Sequence, residues 1–378
     1  WTTDGPTNMP PARRNPLMSA WLSLANRAAN TGRDDASLAA RPTLTVPARI
    51  FKGLGRAASR MMSVALPLSD PPDGRGGTAG RVTEIADFGS NPGGLRMLVY
   101  APPRTPRAGA PLIVVLHGCR QGAESFAASA GWIDVARTLG VPLVLPEQLS
   151  ANNRNRCFNW YRPGDVRRGR GEAMSIRQMV RTATTRFGSN RRRVYIVGLS
   201  AGGAMAAAML ASYPAVFAAG AVVAGMPVGS ANTSAKALLR MHRGEPLQTR
   251  IGLVAALRAS TPTRGTRPWP RLSIWQGERD RTVNPANAEL LAAQWSGVHG
   301  FEAEPTTDAV AAPGLRHRSW VKGGVAAVEL WTIADMAHGF PIDAREPGGG
   351  RPGPWVVDAK IAGARRIAAF WGLEPRRS

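Results

Sequence analysis

The chain has 378 residues, 44% hydrophobic and 19% charged, which is enough apolar content for a sizeable core and excludes global disorder. Its 42 glycines and 31 prolines suit a loop-rich enzyme and argue against coiled coils or long repeat arrays, while two cysteines exclude Cys-rich zinc modules and disulfide scaffolds. The net charge of +23 comes from scattered arginines, with only Lys52, Lys236, Lys322 and Lys360 as lysines; an arginine-biased composition accounts for it, and no nucleic-acid partner is expected.

Residues 1–80 read as an N-terminal extension and linker, partly helical. Pro10-Pro11, Pro42, Pro47 and Pro71-Pro72 interrupt short amphipathic pieces at residues 18–29 and 48–62, and residues 69–80 are rich in Pro, Gly and Asp. No basic-then-apolar leader occurs in the first 30 residues. Residues 81–378 read as one main domain. Apolar runs at residues 97–101, 111–116, 142–146, 193–197, 220–224, 272–276 and 325–333 suit strands buried on both faces. Helical patterns at residues 131–139, 175–187, 201–212, 287–295 and 356–371 lie between or after them. This alternation predicts an α/β fold with a mostly parallel central sheet flanked by helices. The long uncharged stretch from Val194 to Ala235 is broken by Ser212-Tyr213-Pro214 and reads as buried strand and helix pieces, so no transmembrane segment is expected.

The most specific chemical signal is Gly198-Leu199-Ser200-Ala201-Gly202, a G-x-S-x-G that follows the strand pattern RVYIV and opens the helix pattern AGGAMAAAMLAS. A nucleophile elbow needs this strand–turn–helix context. The flanking glycines let the chain turn sharply, and the turn lifts the Ser200 hydroxyl above the sheet edge. A serine hydroxyl also needs a base. Of the five histidines, His117, His242, His299, His317 and His338, only His338 both follows Ser200 and sits in a loop just past a strand, where the ligand-facing residues of an open α/β sheet lie. The orienting acid is expected after an earlier strand, and Asp280 in GERDRTVNP fits; Asp335 is its rival, and Asp280 as a simple turn cap is the alternative. A second oxyanion donor belongs in the loop after an early strand. PLIVVLHGC places the Cys119 N–H there, beside the Ala201 N–H at the helix start, and leaves His117 to steady the loop.

At these residues the chain resembles the polyhydroxybutyrate depolymerase family of esterases, a family that also contains feruloyl and acetyl-xylan esterases. The resemblance lies in LHGCRQGAESFA, GWIDVARTLGVPLVLPEQ, NNRNRCFNWY, GEAMSIRQMV, RVYIVGLSAGG, GERDRTVNP and MAHGFP, in that order, across roughly residues 90–370. It implies an α/β-hydrolase fold, ester hydrolysis by Ser200, Asp280 and His338, oxyanion donors at Cys119 and Ala201, and a Cys119–Cys157 disulfide. It further implies secretion, although the sequence also leaves a cytoplasmic location open.

The expected reaction is hydrolysis of polyhydroxybutyrate or short hydroxyalkanoate oligomers through an acyl-enzyme. Two alternatives stay open: a feruloyl or acetyl-xylan esterase, and a non-catalytic binding protein on the same fold. Family members often carry a linker and a substrate-binding domain beyond the catalytic one; here the chain stops soon after Trp371, so soluble or short oligomers are the expected substrates. Trp160, Phe158 and Tyr161 are candidates for lining an apolar groove, with ordinary packing as the alternative. No cofactor and no metal are expected, since no metal-ligand spacing is present, and the sequence is silent on oligomeric state.

Overall fold

The computed structural model describes residues 80–244, 249–261 and 268–374. Apart from Gly80, the extension and linker expected over residues 1–80 lie outside the described residues. Ten strands form one sheet: β1 (Arg81–Glu84), β2 (Arg96–Ala101), β3 (Leu112–Leu116), β4 (Leu143–Glu147), β5 (Val194–Leu199), β6 (Ala219–Val223), β7 (Arg271–Gly277), β8 (Thr307–Ala312), β9 (Leu315–Lys322) and β10 (Val325–Ile333). Their order is β1-β2-β4-β3-β5-β6-β7-β10-β9-β8. From β4 to β10 every neighbour runs parallel, and antiparallel pairs finish both edges.

The helices are α1 (Ala123–Ser129), α2 (Trp132–Leu139), α3 (Pro163–Val166), α4 (Gly171–Arg186), α5 (Ala201–Ser212), α6 (Ser234–Arg243), α7 (Arg250–Ala259), α8 (Ala286–Val298) and α9 (Gly363–Phe370). They cover both faces of the sheet, and β3 shows why its sequence is apolar throughout. Leu112, Val114 and Leu116 join one core cluster with Met179, Met205 and Trp295, while Ile113 and Val115 join the other with Trp132 and Ile367. Alternate side chains point to opposite faces, so a strand covered on both sides has no position for a polar residue. Each aliphatic side chain buried this way contributes about 1.5–3 kcal/mol. Helix α5 is buried along its whole length, which accounts for its lack of a polar face.

One expected element needs correction. The helix predicted over residues 356–371 begins only at Gly363. Val356–Asp358 instead forms a short strand, β12, paired parallel with β11 (Phe340–Ile342), because β-branched Val356 and Val357 suit an extended edge. Lys360 then takes a left-handed φ of 57° before the helix starts. The hairpin β8–β9 was not anticipated: β8 is exposed along its whole length, so burial imposes no alternation on its sequence.

Candidate active site

The loops at the carboxyl ends of β3, β4, β5, β7 and β10 meet above one edge of the sheet. Ser200 stands between β5 and α5 at φ 57°, ψ −117°, a conformation that L-residues rarely adopt. The surroundings hold it there. Its N–H donates to Val223 O at 2.8 Å, and Ala204 N donates back to Ser200 O at 2.9 Å. The glycines on either side are sterically required. A Cβ on Gly198 would lie 2.1 Å from Gly202 O, and one on Gly202 would lie 2.4 Å from His117 O and 2.5 Å from Leu116 O. Strained, over-determined backbone of this kind recurs at functional sites.

Asp280 and His338 meet. His338 Nδ1 is 2.7 Å from Asp280 Oδ2, with the acid side chain fully buried and the imidazole nearly so. Asp280 Oδ1 accepts the N–H groups of Thr282 and Val283, each at 2.8 Å, and Oδ2 accepts Gln276 Nε2 at 3.1 Å. These donors fix the carboxylate in place, so it orients the His338 ring with Nδ1 toward Oδ2 and Nε2 away from it. The rival Asp335 pairs with Arg279 at 2.7 Å on the open surface, away from the ring. The Ser200 hydroxyl makes no hydrogen bond among the described residues. Such bonds are often long before substrate binds.

The loop after β3 is held from three sides. Buried His117 donates Nδ1–H to Gly118 O at 2.7 Å, and its Nε2 accepts Gln148 N at 3.1 Å. Burial pushes the imidazole down to about 4, so it is neutral in this tautomer and has no free nitrogen for base chemistry. Gln121 accepts from Gly118 N at 2.7 Å and donates to Pro354 O at 2.6 Å. Cys119 is joined to Cys157 in a disulfide. The Cys119 N–H has no acceptor among the described residues, and the Ala201 N–H opens α5 without a capping side chain.

Among the groove candidates, Phe158 has the least exposed side chain. It is fully buried in the core against the His117 ring, with centroids 5.0 Å apart, so it does not reach a surface. Tyr161 is also buried. Trp160 is half-buried and packs with Met241 onto a small separate cluster of Ala204, Met226 and Val283, one helical turn from Ser200 and three residues from Asp280. Sequence reasoning missed three features. Met226 and Met241 carry no motif. Trp355, with its ring centroid 5.9 Å from that of His338, takes a φ of 60° that its residue type does not announce. Glu172, at the start of α4, is fully buried and accepts from Gln148 Nε2 (2.6 Å), Asn159 N (2.8 Å) and Asn159 Nδ2 (2.6 Å).

A serine on a strained strand–helix turn, an acid–imidazole pair on a neighbouring strand's loop and backbone donors at the same end of the sheet are the parts that acyl transfer uses. The model for the esterase PHB depolymerase family matches residues 95–317. The chain belongs to that family. It is 38% identical over 299 residues to poly(3-hydroxyalkanoate) depolymerase C of Paucimonas lemoignei, covering 77% of this chain and 70% of that protein. It is also 30% identical over 275 residues to an acetylxylan esterase of Coprinopsis cinerea, covering 71% of each. Among solved structures, an acetyl xylan esterase from Aspergillus awamori superposes with a TM-score of 0.66 at 19% identity, over 78% of this chain and 100% of that one. The shared fold is the α/β-hydrolase fold that the sheet order and elbow describe. No group of three or more metal-ligating side chains is found among the described residues, and no helix among them is long and apolar enough to cross a membrane.

Proposed function

We propose that residues 81–378 are the catalytic domain of a serine esterase that hydrolyses polyhydroxyalkanoate esters or their short oligomers. The Asp280–His338 hydrogen bond, formed at the strand ends where Ser200 stands on its elbow, is the observation that carries this reading. Ser200 Oγ attacks the ester carbonyl and His338 Nε2 takes its proton. The N–H groups of Cys119 and Ala201 hold the tetrahedral oxyanion. His338 then protonates the departing alcohol, leaving Ser200 acylated. Water, deprotonated by the same nitrogen, releases the acid and restores the serine. Trp160, with the Met226 and Met241 cluster, offers an apolar wall for the acyl chain. The Cys119–Cys157 disulfide supports an oxidising, extracytoplasmic location.

The acetylxylan esterase relatives favour a second reading in which the same machinery removes acetyl groups from a polysaccharide. Wild type and Ser200→Ala, assayed on p-nitrophenyl butyrate, 3-hydroxybutyrate oligomers, amorphous polyhydroxybutyrate, acetylated xylan and methyl ferulate, separate the two. Serine-dependent release of hydroxybutyrate is expected. Preference for acetylated xylan moves the chain to the second reading, preference for ferulate moves it to feruloyl-ester hydrolysis instead of either, and hydrolysis retained by Ser200→Ala sinks both.

A further inference from the structure

Beside the loop that carries Cys119 lies a cavity of about 310 Å³ whose wall includes Arg120, Gln121, Ser125, Arg156 and Pro354. No acidic side chain lines it. Arg120 and Arg156 immediately follow and precede the two disulfide cysteines, and both have left-handed backbone, at φ 63° and 49°. Long side chains adopt that conformation only where the surrounding structure imposes it. Here the disulfide and two backbone-directed bonds impose it: Arg120 N donates to Asn155 O at 2.7 Å, and Arg156 N donates to Asn153 O at 2.7 Å.

The guanidinium groups are then fixed by neutral acceptors. Arg120 donates Nε and Nη2 to Asn155 Oδ1 at 3.3 and 3.2 Å, and Arg156 donates Nη2 to Arg120 O at 3.0 Å. Neither arginine has a carboxylate partner among the described residues, although many other arginines of this chain do, Arg96, Arg316 and Arg318 among them. Two oriented, uncompensated guanidinium groups at one cavity match the planar fork of a carboxylate. The cavity wall is linked to the candidate site through the chain. Its wall holds Pro354 and Val356, which flank Trp355 beside His338, and Arg120 is the next residue after Cys119.

We propose that this cavity is a carboxylate subsite that holds the free acid end of a hydroxyalkanoate oligomer on the leaving-alcohol side of the scissile ester. The identity of the substrate rests on the esterase reading above; the anion site itself rests on the two arginines. The chain thereby favours oligomers with an ionised end over capped chains.

The test measures binding to Ser200→Ala protein, which cannot turn the ligand over, by titration calorimetry with 3-hydroxybutyrate trimer as free acid and as methyl ester. The free acid is expected to bind about tenfold more tightly, with the advantage shrinking at high salt and lost when Arg120→Gln and Arg156→Gln are added together. Equal binding of the two trimers, binding of neither, or an acid preference that survives both substitutions would overturn the subsite. The comparison of trimers needs no arginine variant, so a misfolded double variant leaves it decisive. Turnover of the same trimers by wild type is read separately: acid-selective binding without turnover removes the esterase reading and leaves the anion site standing.

Discussion

His338 Nδ1 lies 2.7 Å from Asp280 Oδ2, across 58 residues of chain, because β7 and β10 are parallel neighbours whose ends carry the two loops. Their approach is tight enough that a Cβ on Gly277 would lie 2.2 Å from Met336 O. Asp280→Asn keeps the shape of the side chain and presents an amide to the Nδ1–H, which favours the wrong tautomer. The expected outcome is a fall in kcat of about 10⁴-fold in protein that remains folded. Steady-state kinetics on p-nitrophenyl butyrate check this, and a loss under tenfold would remove Asp280 from the proposed role.

Gly202 links the elbow to the loop after β3. An alanine there drives its methyl into the carbonyls of Leu116 and His117, which are backbone atoms that cannot rotate aside. Gly202→Ala is expected to cost roughly 1–3 kcal/mol or more and to lower kcat by moving Cys119 relative to Ala201. Urea unfolding together with single-turnover acylation separates the two effects. Unchanged stability would mean that the sheet edge yields more easily than its packing implies.

The Cys119–Cys157 disulfide closes a segment of 38 residues and ties the loop after β3 to the one bearing Trp160. Constraining a loop of that length stabilises the fold by about 4 kcal/mol through the unfolded chain. A Cys119→Ser/Cys157→Ser double variant is expected to lose on the order of 10 °C in Tm and most of its activity at temperatures where it remains folded. Full activity in the folded double variant would show that the loop holds its geometry through His117 and Gln121 alone.

Several of these features were legible in the sequence for a physical reason. Long apolar runs mark elements packed into the core, so residues 325–333, apolar but for Glu329 and Thr332, and the helix at residues 201–212 are readable with the bounds they have in the structure. Ser200, Asp280 and His338 stood out as polar residues just past such strands, and the fold joins the last two. What stayed hidden depends on partners far along the chain. Glu172 at the start of a helix reads as a solvated residue until the Gln148 and Asn159 loops close over it. Arg120 and Trp355 become conspicuous only through a positive φ. Phe158, an aromatic in a candidate groove segment, has its side chain in the core, which its residue type does not announce.

Glu172 carries the clearest pH dependence. Burial pushes its carboxyl up to about 7 from the ordinary value of 4.5, against the donors from Asn159 and Gln148, which favour the ionised form. A folded value above the unfolded one means that the native state binds the extra proton. The stabilisation is therefore fully present below pH 4.5 and is lost as pH rises to about 7, at roughly 1.4 kcal/mol for each unit of elevation. Glu172→Gln cannot titrate and sets an amide N–H against the Asn159 N–H, so below pH 4.5 it is less stable than wild type by about 1–3 kcal/mol. Its deficit relative to wild type is expected to shrink between pH 4.5 and 7 and to stay flat above. His117, whose lowered value makes it destabilising as pH falls from 6.5 to about 4, is present in both proteins and cancels from the difference. Urea unfolding of both proteins at half-unit pH steps gives the curve directly. A deficit that widens as pH rises would mean that the donors outweigh burial and that Glu172 anchors the two loops as a permanent carboxylate.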